Sequence, residues 1–169
     1  NSINLEDGEG RMNTVCPLLK RYGAACVALT IDEDPQAGMA KSAQRKLEIA
    51  TRIHDLFTRK WGLDENDLIF DPLTFTIGSG DEASRDAGEQ TLNGIKLIKE
   101  NLPGVRTILG LSNISFGLDP YPRQILNSVY MAEAIKHGLD SAIVHASKII
   151  PTHKLDEDDK QVTLDLIYD

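Results

Sequence analysis

The sequence predicts an α/β fold with a parallel sheet covered by helices. Short apolar runs rich in β-branched residues alternate with longer amphipathic segments, a pattern typical of βα units. Four such runs begin at positions 25, 67, 106 and 141, which are 42, 39 and 35 residues apart. Each interval can hold a strand, a crossover helix and two loops, and such crossovers join parallel strands with a right-handed connection.

The elements follow in order along the chain. The predicted strands cover residues 25–31, 67–70, 106–111 and 141–144, and residues 1–3 form the end of a further strand already in progress. The predicted helices cover residues 10–22, 41–61, 87–101, 123–137 and 157–168. Pro17 lies inside the first helix and implies a late start or a kink there. Gly62 ends the second helix, whose apolar stripe runs from Leu47 to Phe57 with Lys and Arg opposite.

Composition and charge exclude several classes of function. The chain has 169 residues, consistent with about one domain, and its 41% hydrophobic and 26% charged residues are typical of globular proteins. The 18 Lys and Arg against 26 Asp and Glu give a net charge of −8, which argues against a nucleic acid partner. The longest apolar run, residues 24–31, is too short to span a membrane, and the first residues do not form a secretion signal. We therefore expect a cytoplasmic protein with no membrane partner.

Several motifs have structural rather than chemical interpretations. Cys16 and Cys26 lack metal-ligand spacing and are expected to be reduced, partly buried thiols. The Gly-rich segment 77–81 lacks the G-K-[ST] of a phosphate-binding loop and is expected to be a flexible loop at a barrel mouth. The acidic run 156–159 suits the first turn of a helix, so no metal site is expected. The remaining histidines outside strand ends are expected at the surface or at helix ends: His54, His137 and His153.

Polar residues stand at the ends of the predicted strands. In a closed parallel barrel, the carboxyl ends of the strands build the site together. A single polar strand end is explained equally well by the chain leaving the core, but five in register favour a binding site. Short amide and carboxylate groups suit a neutral heterocycle rich in donors and acceptors. The five residues are Asn1, Asp32, Asp71, Asn113 and His145.

Two strings carry a family resemblance. LIFDPLTF (residues 68–75) and LGLSNISFGL (residues 109–118) resemble the pterin-binding family of methyltetrahydrofolate methyltransferases, especially the folate domains of cobalamin-dependent methionine synthases. Segments 1–9, 21–25, 28–33 and 142–149 fit in the same order, so the resemblance covers almost the whole chain.

The resemblance implies a TIM (β/α)8 barrel that transfers the N5-methyl group of 5-methyltetrahydrofolate to cob(I)alamin held by another domain or subunit. Asn1, Asp71 and Asn113 match the residues that hold the pterin at the ends of strands four, six and seven. Arg123 falls where methionine synthases carry an Arg at the start of the following helix. His145 stands where some of these enzymes have Asn; with Asp32 it completes the expected folate-binding set.

Asn113 is also the predicted catalytic residue. Methyl transfer leaves an unfavourable charge on N5 unless that atom gains a proton or a strong hydrogen bond. A group that binds N5 more tightly as the methyl leaves would stabilise the transition state. An amide can donate or accept without titrating, whereas the Asp71 carboxylate is better suited to the N–H and amino groups of the ring.

If Asn1 ends strand four, strands one to three are missing from the sequence. We therefore expect residues 1–169 to be a partial pterin-binding domain, the C-terminal part of the barrel from about strand 4 to strand 8. An open arc exposes two unpaired edges and half of an apolar interior, so it should not be stable alone.

Three alternatives stay open. A dihydropteroate synthase would share the fold and pterin site, but residues 112–115 and 143–144 lack the basic groups that such enzymes use for pyrophosphate. A corrinoid-protein methyltransferase outside methionine synthesis would share the chemistry. A folate-binding scaffold would bind without turnover.

Overall fold

The computed structural model describes residues 2–80 and 84–168, and within them the chain forms one parallel sheet flanked by helices. Five strands lie in the order in which they occur along the chain, and every neighbouring pair is parallel. Consecutive order with right-handed crossovers places all connecting helices on one side of the sheet. This arrangement is consistent with part of a TIM barrel and confirms the predicted α/β class.

The strands lie close to the predicted positions. They are β1 (Ile3–Leu5), β2 (Cys26–Asp32), β3 (Leu68–Asp71), β4 (Arg106–Gly110) and β5 (Ser141–Ile143). The expected end of the first strand at residue 3 is wrong, because β1 continues to Leu5, which pairs with Asp32 of β2.

The helices are α1 (Gly10–Tyr22), α2 (Ala43–Asp55), α3 (Ala87–Asn101), α4 (Pro120–Lys136) and α5 (Glu157–Tyr168). The bounds of α1, α3 and α5 agree with the prediction, and α1 shows no late start despite Pro17.

Two helices differ from the expected bounds. The predicted helix 41–61 is α-helical only to Asp55 and continues as a π-helical turn, Leu56–Lys60, in which the Trp61 N–H donates to the Leu56 carbonyl. The helix expected from residue 123 begins three residues earlier, because Asp119 is extended and Pro120 occupies the first helical turn, where a missing N–H costs nothing.

The two faces of the sheet differ in their cover. In β2 and β3 alternate residues are fully buried, and these pack with apolar side chains of α1 and α2. We call this side the helix face; Ala28 and Phe70, paired in register, lie on it. The other side, the inner face, carries Leu29 and Ile69, which are only half-buried.

Candidate functional site

The carboxyl ends of the parallel strands meet along one edge of the sheet, which we call the carboxyl edge. Asp71 ends β3, Asn113 follows β4 by three residues, and His145 follows β5 by two. The fold therefore brings these three residues to the same edge, as the sequence predicts. Asn1, assigned to the same group, lies outside the described residues, as does the end of the Gly-rich segment 77–81.

Asp71 is oriented toward the inner face. It pairs in register with Leu29 and follows the helix-face residue Phe70, so its side chain leaves the strand on the inner side. Its Oδ1 accepts a hydrogen bond of 2.9 Å from the backbone N–H of Leu73. Burial raises the pKa of the Asp71 carboxyl, against the opposing effects of the Leu73 N–H and the Lys46 charge. A half-buried carboxylate with one oxygen engaged leaves the other to accept from a ligand.

Asn113 is presented by a 3-10 helical turn, Leu111–Ser115, directly after β4. Ile114 and Ser115 are buried and anchor the turn, while Asn113 is exposed. Its side-chain amide makes no hydrogen bond within the part of the chain that the structure describes, and its Nδ2 folds back toward Gly110. The amide is thus held on a rigid turn with its donor and acceptor free for a ligand.

Arg123 supports that turn. It is half-buried in the first turns of α4, and its Nε donates to Ser115 Oγ at 3.2 Å, while Nη2 lies 3.5 Å from the Ser112 carbonyl. Ser115 Oγ in turn donates to Asn127 Oδ1 at 2.8 Å. The Arg123 guanidinium therefore stabilises the turn, Leu111–Ser115, that carries Asn113.

His145 lies beside Arg123 in a cleft of about 560 Å³ between the β4 and β5 ends of the carboxyl edge. It is exposed, and its Nδ1 lies 3.1 Å from Ser147 Oγ. Lys148 adds an ammonium group to the Arg123 guanidinium in this cleft. The described lining residues include no acidic side chain. A cleft of this volume lies in the range of small-molecule binding sites.

Asp32, placed in the site by sequence, belongs to the helix face. It follows Cys26, Ala28 and Thr30 in the alternation of buried residues and is itself buried. Its Oδ2 lies 2.6 Å from Arg45 Nη2, in an ion pair that joins β2 to α2. Because strand residues alternate between faces, a polar strand end reaches the ligand only when its position matches the inner face. Asp32 therefore does not lie on the face that carries the candidate site.

Asn4 is a candidate that the sequence analysis missed. It lies between the buried Ile3 and Leu5, so it is oriented toward the inner face near the end of β1. It is half-buried, and its Oδ1 accepts from the Glu6 N–H at 3.2 Å. The alternation in the string INL contains this signal, but the strand was expected to stop at residue 3.

The other motifs have structural surroundings. Cys16 and Cys26 are free and buried, and burial raises the pKa of Cys16 to about 11. His54 Nε2 lies 2.9 Å from Glu65 Oε2, and His137 follows the last residue of α4. Among residues 2–80 and 84–168, no cluster of three or more potential metal-ligating side chains occurs. The helices described in this fold are too short or too polar to cross a membrane.

Fold and site together define a class: a parallel βα protein that presents an inner-face carboxylate and a rigid amide at the carboxyl ends of its strands. Comparison with known proteins is more specific. The pattern of the family described as pterin binding enzyme matches residues 1–145, and the chain belongs to that family.

Two curated relatives are methionine synthases from mycobacteria. The chain is 51% identical to the protein of Mycobacterium tuberculosis (strain ATCC 25618 / H37Rv) and 49% identical to that of Mycobacterium leprae (strain TN). Each alignment covers 100% of this chain, which spans 14% of the length of each relative.

Proposed function

We propose that this chain is part of a folate-binding barrel that binds 5-methyltetrahydrofolate and passes its N5-methyl group to cob(I)alamin, as a step in the synthesis of methionine from homocysteine. Membership of the pterin binding enzyme family supports a pterin ligand, and the similarity to methionine synthases supports the methyl-transfer reaction. Residues 1–169 would then form a partial barrel domain, with cobalamin held by another domain or subunit.

One observation carries the proposal: Asp71 and Asn113 extend from neighbouring strands at the same edge. A carboxylate accepts hydrogen bonds from the ring N–H and amino groups of a pterin, and an amide can both donate and accept. Asn4 lies on the same face as Asp71 and would add a second amide. Arg123 and His145 lie toward the cleft, where the folate would extend beyond the pterin ring.

The chemistry assigns different roles to the two residues. When the methyl group leaves N5, the electron pair of the broken bond stays on N5, while the acceptor supplies the pair for the new bond. The charge that develops on N5 needs a proton or a stronger hydrogen bond. In this proposal the Asn113 amide, held on its turn without a competing partner, strengthens its hydrogen bond to N5 in the transition state, and Asp71 binds the ring throughout.

The half-buried inner face also supports a larger barrel. Leu29, Ile69 and Ile108 lie on it, and Ile143 of β5 is 65% exposed. An apolar sheet face with so little cover requires additional structure. Further strands would close the sheet and enclose the pterin between the strand ends.

The experiment measures binding and turnover separately in the full-length protein. Equilibrium binding of 5-methyltetrahydrofolate tests the site, and methylation of cob(I)alamin followed by its absorbance tests the reaction. Asp67→Asn, a carboxylate change at the opposite end of β3, is the matched control for Asp71→Asn.

Binding and methylation that both depend on Asp71 and not on Asp67 would support the proposal. Binding without methylation would indicate a folate-binding scaffold. Condensation of a pterin pyrophosphate with p-aminobenzoate would indicate a dihydropteroate synthase instead.

A further inference from the structure

A lysine is completely buried beneath the candidate site. Lys46, in the first turn of α2, has 0% of its surface exposed, which is rare for this residue type. Its Nζ lies 2.8 Å from the Ala40 carbonyl, 2.6 Å from that of Pro72 and 3.2 Å from that of Leu73. An ammonium group has three donors, and these carbonyls supply three acceptors. The side chain therefore ties α2 to the segment that follows β3.

That segment carries Asp71 and adopts a backbone conformation that needs support. Leu73 has a φ of +65°, in the left-handed region. Among the residues that the structure describes, no other non-glycine residue has a positive φ. Such a conformation persists only where the surroundings hold it. The Leu73 carbonyl accepts from both Lys46 Nζ and Thr91 Oγ1, while the Leu73 N–H donates to Asp71 Oδ1. Lys46 thus holds the Pro72 carbonyl of the same peptide group whose N–H, on Leu73, donates to the Asp71 carboxylate.

The ammonium is not explained by packing of the core. A buried charge is costly, and an apolar side chain of similar volume would fill the space without that cost. Burial lowers the pKa of Lys46 to about 7, and the negative charge of Asp71 opposes this effect. The favourable interactions of Lys46 with the β3–α3 segment are the hydrogen bonds to the Pro72 and Leu73 carbonyls and the attraction to the Asp71 charge. Its Nζ also lies 5.0 Å from the centroid of the Phe75 ring.

We propose that Lys46 is a positioning residue of the pterin site, which holds the Pro72 and Leu73 carbonyls so that the turn fixes the Asp71 carboxylate toward the ligand. Lys46 does not touch the ligand in this arrangement. The functional part of the inference rests on the proposed folate binding. The hydrogen bonds from Lys46 to the Pro72 and Leu73 carbonyls, which we call the clamp, do not depend on it.

Two substitutions disturb the clamp in different ways. Lys46→Met keeps the stem and removes the donors. Gly94→Ala keeps the lysine and its donors. It would put a Cβ 2.6 Å from Lys46 Cδ, so that the aliphatic part of the lysine side chain must shift. Gly88→Ala, in the same helix α3, is the matched control, because its Cβ would meet neighbours only at 3.6 Å or more.

The first measurement needs no ligand. Hydrogen exchange followed by mass spectrometry on the full-length protein reports the opening of residues 72–76, with residues 106–110 of β4 as an internal reference. We expect about tenfold faster exchange in the turn for Lys46→Met and Gly94→Ala, and no change for Gly88→Ala. Unchanged exchange of the turn in both variants would overturn the proposal, whether or not the wild type binds folate.

The second measurement tests whether Lys46 acts through Asp71. In the wild-type background, Lys46→Met should weaken binding of 5-methyltetrahydrofolate roughly tenfold, and in an Asp71→Ala background by less than about twofold. Equal losses in both backgrounds would mean that Lys46 supports the fold generally, and the positioning role would be wrong. A wild type that binds no folate contradicts the proposed function and the functional part of this inference, but the exchange result still decides the clamp.

Discussion

Substitution of Asp71 tests the proposed binding site most directly, because the proposal gives this residue two separable roles. Its Oδ1 accepts from the Leu73 N–H, which orders the turn, and its negative charge is available to the ligand. Asp71→Ala removes both, whereas Asp71→Asn retains an acceptor oxygen and removes the charge. The turn hydrogen bond and a ligand hydrogen bond are both made to a charged carboxylate, and each contributes about 1.5–3 kcal/mol. We therefore expect both variants to bind 5-methyltetrahydrofolate roughly 10- to 150-fold more weakly, and Asp71→Ala alone to lose stability.

The pH dependence of binding provides a second test of the same residue. Burial raises the pKa of the Asp71 carboxyl, so protonation begins at a higher pH than for an exposed aspartate. Because the ionised form accepts from the ring, wild-type affinity should fall as the pH decreases through this raised pKa, and Asp71→Asn should not show that fall. The assay is calorimetric titration of the full-length protein with 5-methyltetrahydrofolate, alongside thermal unfolding. Wild-type dissociation constants in both variants, with only stability altered, would assign Asp71 to the turn and refute the reasoning.

Three further predictions follow from the site and its surroundings. Asn113→Ala should lower the single-turnover rate of cob(I)alamin methylation at saturating 5-methyltetrahydrofolate by about 10²–10³-fold, more than it weakens binding; a loss of affinity alone would contradict the catalytic role. Asp32→Ala should destabilise the fold by about 1.5–3 kcal/mol through the lost Arg45 contact and leave the folate dissociation constant unchanged, so that a change in affinity would return Asp32 to the site. Cys16, fully buried and with a pKa of about 11, is less than about 1% thiolate at pH 8 and should react with a disulfide reagent only after unfolding, which rapid labelling of the native protein would disprove.

Residues that start and stop helices made most of the helix bounds predictable from the sequence. α3 and α5 have the predicted bounds, since a Pro and Gly pair follows the first and an acidic turn begins the second. The edge that carries Asp71 and Asn113 was predictable for a related reason, because parallel βα units align their carboxyl ends. What composition and spacing did not resolve was the face of the sheet to which each strand-end residue belongs.

Lys46 shows a different limit of sequence reasoning. The sequence pattern around it is an apolar stripe with Lys and Arg opposite, which predicts that every lysine of the helix lies in solvent. Lys46 nevertheless lies three residues after Ala43 and three before Ile49, both buried, and so on the buried face. The spacing of the buried residues therefore indicates that Lys46 is buried. It does not indicate the partners of the buried ammonium, which are carbonyls 26 and 27 residues further along the chain. Only the fold brings those partners together.

The alternation of strand residues separates binding from stability at this edge. At β3, Phe70 packs against the helices and Asp71 is oriented toward the inner face, whereas the last residue of β2, Asp32, is oriented toward the helices and pairs with Arg45. Two carboxylates at neighbouring strand ends are therefore oriented toward opposite faces, because β2 ends on the helix face and β3 on the inner face. The same rule adds Asn4, which alternates with Ile3 and Leu5, to the ligand side. A pterin bound at this edge would contact the strand-end residues on the inner face. Polar strand-end residues on the helix face, such as Asp32, would instead attach the helices to the sheet.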